Sequence, residues 1–224
     1  MEDLSIKEKY HFFIGNIFTS EDQLIALKNI QKKLKKKYLL KDSHYNNKLC
    51  TNLIYLGYLD NETANNYMNN IICKLLTAIS NKFSTLKCKY TGYKIDYDKS
   101  YYKISLQFDD ENNYLKQIIV PYLYENGILP IYDKKKYIHD PSIDLIYYKK
   151  SSILESKKNG VTIQLPQNEF DINYLSLIKG TPTNIRSGTP SVHDQMYFEE
   201  IYQYKFPLKS NNISKSPLNS NNIS

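Results

Sequence analysis

Two short stretches hold the side chains most able to do chemistry. One is Cys50-Thr51-Asn52, which runs on into Leu53-Ile54-Tyr55-Leu56-Gly57. The other is Ser142-Ile143-Asp144, entered through Asp140-Pro141 and followed by Leu145-Ile146-Tyr147-Tyr148. Each reads as a β-strand, and residues two apart on a strand share a face. Cys50 with Asn52, and Ser142 with Asp144, would each form a polar pair on one side. Two such strands facing each other would line a cleft with four polar groups. A serine hydroxyl is neither a useful acid nor a useful base unassisted. A thiol, with a reference pKa of about 8.5, can ionise, but a thiolate repels phosphate. An ionised Asp144 would repel it too, whereas a buried and protonated Asp144 would donate a hydrogen bond.

Histidine suits proton transfer near neutral pH, and the chain has four. His44 lies six residues before Cys50 in a polar loop. His139 lies three before Ser142, so odd parity puts it on the other face of a regular strand unless Pro141 breaks the regularity. His11 falls in the first strand and reads as a core or edge residue, and His193 in a loop rich in Gly and Pro. A relocated pair of His44 with His139 is the histidine arrangement that would serve catalysis. No nucleophile elbow surrounds Ser142. His139-Asp140-Pro141-Ser142 is no metal-ligand spacing, and no metal or other cofactor is expected. Cys50, Cys73 and Cys88 are odd in number and not spaced for zinc, which points to a reducing compartment.

The elements that must position these residues follow from periodicity. Tyr10 to Ile17 is a nearly continuous apolar run, expected to be a central strand. Ser20 and Gln23 fit a capping box. Leu24, Leu27, Ile30 and Leu34 mark an amphipathic helix to about Tyr38, ending in Lys32, Lys33, Lys35, Lys36 and Lys37. Those lysines suit a helix C-terminus and read as a solvated face, or more sharply as a phosphate-binding patch. Gly57 is expected to end the Cys50 strand, and Asp60 to cap a second helix with a stripe of Met68, Ile71, Leu75 and Ile79. Residues 85–96 and 100–108 predict a hairpin. On its second strand Tyr102, Ile104, Leu106 and Phe108 face one way, and Lys103, Ser105 and Gln107 the other. A third helix is expected from Asp109 or Asp110 to Gly127, kinked or broken at Pro121. A short strand near 128–132, a basic turn (Lys134, Lys135, Lys136), the Ser142 strand, and strands over 169–178 and 196–206 complete the order. Residues 1–208 form one domain on this reading. Residues 209–224, which repeat Ser-Asn-Asn-Ile-Ser, form a disordered low-complexity tail.

The 224 residues suit such a domain. With 22 Tyr, 8 Phe and no Trp, aromatic mass sits in rings that keep a wet hydroxyl. The formal charge of +7 suits a polyanion, but of 30 basic residues only Arg186 is an arginine, which argues against a bidentate phosphate clamp. The Lys, Asn, Ile and Tyr bias is that of an AT-rich genome. No apolar run approaches a membrane span and Met1-Glu2-Asp3-Leu4 is no secretory signal. A soluble intracellular protein is expected, cytoplasmic, and in the host cytoplasm if the source is a virus.

Taken together, the chain resembles the two-histidine (2H) phosphoesterase superfamily, which includes the LigT-like 2′,3′-cyclic phosphodiesterases also called 2′-5′ RNA ligases. The resemblance spans roughly residues 8–207 by order and spacing. It rests on Asn52-Leu53-Ile54-Tyr55-Leu56-Gly57, on the frame Pro141-Ser142-Ile143-Asp144-Leu145, on the Phe12-Phe13-Ile14 strand with its helix, and on the final strand pair. It implies an α+β fold, two-lobed, with two antiparallel sheets forming a central cleft and helices outside. It also implies two His-x-Thr/Ser motifs, one per lobe. At those positions this chain has Cys50 and Asn52, then Ser142 and Asp144, so all four differ.

In that family one histidine takes a proton, the other gives one, and the hydroxyls hold the phosphate. With the histidines replaced, the expected protein is a pseudoenzyme that binds RNA or a nucleotide, with Tyr55 and the turn lysines Lys134, Lys135 and Lys136 as ligand contacts. Two other readings stand beside it: a Tyr-rich protein-binding scaffold, and an active phosphodiesterase with relocated groups.

Overall fold

The computed structural model describes residues 8–38, 40, 43–66, 84–97, 101–119, 121, 141–149, 162–182 and 196–206. The strands are β1 (Lys9–Ile17), β2 (Ser43–His44), β3 (Cys50–Asp60), β4 (Leu86–Tyr97), β5 (Tyr101–Asp110), β6 (Ser142–Lys149), β7 (Phe170–Ile172), β8 (Tyr174–Pro182) and β9 (Met196–Lys205). Helix α1 (Glu21–Lys37) follows β1, the short α2 (Asn61–Asn66) follows β3, and a π-helical turn (Leu115–Ile119) follows β5. This is an α+β fold built on antiparallel pairing.

The strand order is β7-β4-β5-β6-β3-β1-β8-β9, with β2 also paired to β6. Where two sheets were expected, the strands join into one curled sheet. The join is short. Among the described residues, the halves β7-β4-β5-β6 and β3-β1-β8-β9 pair through two register pairs, Thr51 with Ile143 and Asn52 with Ser142. The two motif stretches therefore form the seam itself. They meet there because each begins its strand, so both polar pairs reach the same line.

The main core lies on the face away from the motif polar groups. It is built from Phe12, Ile14, Leu27, Leu34, Leu53, Leu56, Ile104, Leu106, Phe108, Ile143, Leu145 and their neighbours. A smaller cluster of Phe13, Ile17, Ile178, Met196 and Phe198 lies on the opposite face of the β1-β8-β9 half, with Cys50 and Tyr55 packed on it. The alternation of β1 explains the split, since Phe12 and Ile14 point one way and Phe13 and Ile17 the other.

Several local expectations are corrected. Ser20 holds the N-cap position of α1, its carbonyl accepting the first helical bond from the Leu24 N–H at 3.0 Å, but its hydroxyl makes no cap bond, so no capping box forms. β3 does not end at Gly57. It continues to Asp60 because the chain bulges at Leu56 and Gly57 takes φ +127°, a conformation glycine tolerates without strain. Asp60 does cap α2, accepting from the Thr63 N–H at 2.8 Å. The expected third helix begins as a turn held by Asp110, whose carboxylate accepts from the N–H groups of Tyr114 (2.8 Å) and Leu115 (2.9 Å). The strand expected over 169–178 is two strands, divided at Asn173. The Met68 to Ile79 stripe, the strand near 128–132, His139, His193, the lysine turn and the 209–224 tail lie outside the described residues. Among the described residues no helix is long and apolar enough to cross a membrane.

α1 packs on β6, and its one buried polar side chain has a specific task. Gln31 donates from Nε2 to the carbonyl of Leu145 at 2.6 Å. Leu145 is the extra residue of a bulge in β6, so Gln31 serves a carbonyl at a break in the sheet ladder. Gln31→Leu is therefore expected to cost about 1–3 kcal/mol by stranding that carbonyl in an apolar interface. A urea titration should show the midpoint fall with the slope unchanged.

Candidate functional site

The two motif strands share a device that their sequences do not announce. In β3, Gly15 pairs with Asn52 and Ile14 with Ile54, so Leu53 is an extra residue. In β6, Ser105 pairs with Asp144 and Ile104 with Ile146, so Leu145 is extra. In each strand the bulge comes one residue after the polar pair and reverses the side-chain parity. Tyr55 and Tyr147 are thereby turned onto the face of Asn52 and Asp144. Without the bulges both tyrosines would point into the main core.

Asn52, Tyr55, Ser142, Asp144 and Tyr147 all line one cavity of about 110 Å³ in the crease between the halves. Of the four polar groups expected to face one cleft, Asn52, Ser142 and Asp144 line this cavity and Cys50 does not. Cys50 sits beside it, packed on the small apolar cluster. Burial, helped by the Asp144 charge, pushes the Cys50 thiol well above the usual range, so it stays protonated at neutral pH. His44 is not in the wall: on β2, opposite Tyr147, it stacks on that ring at 5.1 Å with planes 5° apart. His11 is buried, and its Nδ1 lies 2.8 Å from the Tyr55 hydroxyl, which fixes the ring that the bulge has turned inward. No histidine lines the cavity among the described residues. Nor, among them, is any group of three His, Cys, Asp or Glu side chains placed to hold a metal ion.

One wall comes from β4, β5 and β6 and is polar. Gln107 pairs with Ser142, Ser105 with Asp144, and Lys103 with Tyr147, so the polar face read from the β5 alternation points into the cleft. Asp144 is the hub. It accepts from the Ser105 hydroxyl (2.7 Å) and the Tyr147 hydroxyl (2.8 Å) and pairs with the Lys103 ammonium (3.3 Å). Its side chain is 11% exposed and that of Lys103 15%. Burial alone would raise the Asp144 carboxyl. The Lys103 charge and the three donors outweigh it and hold the group below its ordinary value, so it is ionised. Of the two charge states considered for Asp144, the ionised one is favoured here. Tyr147 moves the other way: burial and the Asp144 charge raise its hydroxyl well above the usual value. On β4, Lys94 pairs with Asp96 at 2.7 Å. The two lysines and two aspartates in the lining therefore cancel.

The other wall is apolar and aromatic. Phe13, Tyr55 and Phe198 supply it, with Phe13 and Tyr55 centroids 5.1 Å apart and Phe13 edge-on to Phe198 at 5.7 Å. Sequence reasoning did not place Phe13, Phe198, Lys94, Asp96 or Lys103 in the site. A signal existed for Lys103, Ser105 and Gln107, since their alternation was legible, but the facing partner was not.

No protein-family model matches the sequence, and no curated protein matches it by sequence. Structures do. TT0787 of Thermus thermophilus superposes with TM-score 0.58 at 14% identity, over 88% of this chain and 97% of that one. Escherichia coli LigT complexed with 3′-AMP gives 0.54 at 10% identity, over 90% of this chain and 100% of that one. Kluyveromyces marxianus Usb1 with uridine monophosphate gives 0.51 at 11% identity, over 89% and 98%. The chain has the two-histidine phosphoesterase fold. At these identities the likeness is one of fold, and the chemistry must be judged from the cleft in hand. In and beside the cleft, Cys50 is a protonated thiol, Asn52 a carboxamide, Ser142 a hydroxyl and Asp144 an ion-paired carboxylate.

Proposed function

We propose that the chain is a catalytically silent protein of the two-histidine fold that binds a ribonucleotide, free or within RNA, through its cleft. The ionised Asp144 carries this reading. A carboxylate tied to Lys103, Ser105 and Tyr147 stands at the position resembling a phosphate-holding hydroxyl. It repels a phosphate, and it occupies the Lys103 ammonium beside it. The titratable groups at the motif positions do not exchange protons near neutrality: the Cys50 thiol and the neighbouring Tyr147 hydroxyl are raised, and the Asp144 carboxyl is lowered.

What the lining does offer is Asn52, Gln107 and Ser142 as neutral hydrogen-bonding groups and Phe13, Tyr55 and Phe198 as rings. That set suits a heterocyclic base better than an oxyanion, since stacking on aromatic side chains is worth about 1–3 kcal/mol per base. The nucleotides in the LigT (3′-AMP) and Usb1 (uridine monophosphate) structures support the ligand class.

The test has two readouts. Incubation with 2′,3′-cyclic AMP, followed by chromatography, is expected to show no product above the buffer control. Turnover that disappears in His44→Ala would establish relocated catalysis instead. Calorimetry is expected to find adenosine and 3′-AMP bound within about threefold of each other. A tenfold or greater preference for 3′-AMP, about 1.4 kcal/mol, would mean that the cleft still reads phosphate.

A further inference from the structure

We propose that the groove between α1 and the loop 45–49 tracks the sugar-phosphate backbone of single-stranded RNA. This rests on the reading above that the ligand is a ribonucleotide, but its backbone contacts use none of the residues that line the cleft.

The groove encloses about 600 Å³ and is lined by Lys28 and Lys32 of α1 and by Tyr45, Asn46, Asn47 and Lys48 of the loop. Lys28, Lys32 and Lys35 stand at i, i+4 and i+7, so they form one stripe along the helix. The Lys35 ammonium lies 5.7 Å from the centre of the Tyr45 ring. All four lysines are exposed, and among the described residues none is in an ion pair. One carboxylate, Glu200, reaches the groove, and it already accepts the Ser176 hydroxyl. The cleft cancels its charges, whereas the groove sets Lys28, Lys32 and Lys48 of its lining against the Glu200 carboxylate and stays net positive. Four cations beside a half-exposed aromatic ring match a polyanion whose bases can stack, not a lone phosphate.

Position argues for the same partner. Asn46 and Asn47 line the groove and bond to residues that line the cleft. Asn46 donates to the Tyr147 hydroxyl at 3.4 Å and accepts from the Met196 N–H at 2.9 Å. Asn47 grips the Phe198 backbone, accepting from its N–H at 2.6 Å and donating to its carbonyl at 3.2 Å. Tyr147 and Phe198 are walls of the cleft. A strand lying along the groove thus reaches the cleft mouth across two side chains, with phosphates on lysines and a base on the aromatic wall. A duplex buries its base faces and gains nothing from Tyr45.

The experiment is fluorescence anisotropy of the full chain with a labelled ten-nucleotide oligouridylate over a series of KCl concentrations. The wild type is expected to give a slope of log affinity on log salt of about −2 to −3, three or four phosphates at about −0.7 each. Lys28→Glu/Lys32→Glu/Lys48→Glu should weaken binding by about tenfold or more and flatten the slope by about 2. Lys33→Glu/Lys36→Glu/Lys37→Glu changes net charge equally on the other flank of α1 and should cost less than about threefold, by long-range attraction alone. Tyr45→Ala should lose about tenfold and Tyr45→Phe little. Thermal midpoints and the milder Lys→Gln versions guard against misfolding.

Equal losses in the two triple variants, a slope near zero, tighter binding of duplex than single strand, or binding confined to phosphatidylserine vesicles would each overturn the groove. Adenosine calorimetry on the Lys28/Lys32/Lys48 variant separates the two readings. Intact adenosine binding with lost RNA binding supports both. Absent adenosine binding in the wild type, with RNA still on the groove, removes the cleft reading alone. Adenosine binding in the wild type, with RNA binding indifferent to the lysines, removes the groove alone.

Discussion

Asp144→Ala is expected to destabilise the protein by about 3–5 kcal/mol, the range for breaking a buried ion pair by removing one partner. The carboxylate is the common acceptor for Lys103, Ser105 and Tyr147. Its loss leaves an ammonium that is 15% exposed without a counter-charge, and two hydroxyls without their acceptor. Lys103→Met/Asp144→Leu should recover most of the loss, because removing both charges also removes their desolvation cost. The pH dependence has a definite sign. The Asp144 carboxyl is lowered in the folded state, so its contribution is complete above the unfolded-state value of about 4 and is lost as pH falls through the folded value. Urea unfolding at pH 7 and at pH 3 should show the wild type losing more stability on acidification than Asp144→Asn. Equal losses, or an alanine variant as stable as the wild type, would mean that the carboxylate is not the hub described above.

The second large effect is expected at Gly15. It pairs with Asn52 beside the bulge, and a Cβ there would overlap the Thr51 carbonyl oxygen and lie 3.1 Å from its carbon. These are backbone atoms of the seam strand and cannot swing aside. Thr51 is itself fixed, fully buried with its hydroxyl accepting from the Asn16 N–H at 2.8 Å. Gly15→Ala should therefore cost about 3 kcal/mol, the upper part of the range for overpacking. Gly92→Ala is the control. Its Cβ would meet only the Gln107 side-chain oxygen, at 3.3 Å, and that side chain can rotate away. It should cost under about 1 kcal/mol. Hydrogen exchange at Asn16 and Thr51 should accelerate in the Gly15 variant and not in the Gly92 variant.

How far the sequence carries is clearest in β5 and β6. The alternation of Lys103, Ser105 and Gln107 against Tyr102, Ile104, Leu106 and Phe108 is a local signal, and the observed strand obeys it. That Ser105 should sit opposite Asp144 is not local. It depends on a cross-strand register interrupted by the bulge at Leu145, and no residue type there marks the interruption. The charge state of Asp144 was illegible for the same reason, since it is decided by Lys103, 41 positions earlier. Likewise, strict alternation from Cys50 would send Tyr55 into the core; the extra residue at Leu53 brings it out. β2 was hidden because two residues, Ser43 and His44, carry no periodicity. Element order survived because each long element declares itself. The site did not, because it is made by two bulges and a register.

The seam of two register pairs also determines how the cleft is able to move. Its walls are hydrogen-bonded to each other at their base, so they cannot slide apart like independent plates. Widening has to be a rotation about the line through Thr51–Ile143 and Asn52–Ser142. Residues on that axis travel least. Lys94 and Phe198 lie further out on opposite halves, and Asn46, bonded to Tyr147 on one half and to the Met196 backbone on the other, restrains the opening beside Phe198. The cleft is thus a jaw with a fixed root: the polar groups at the hinge keep their mutual geometry whatever is held, and the aperture is set at the rim.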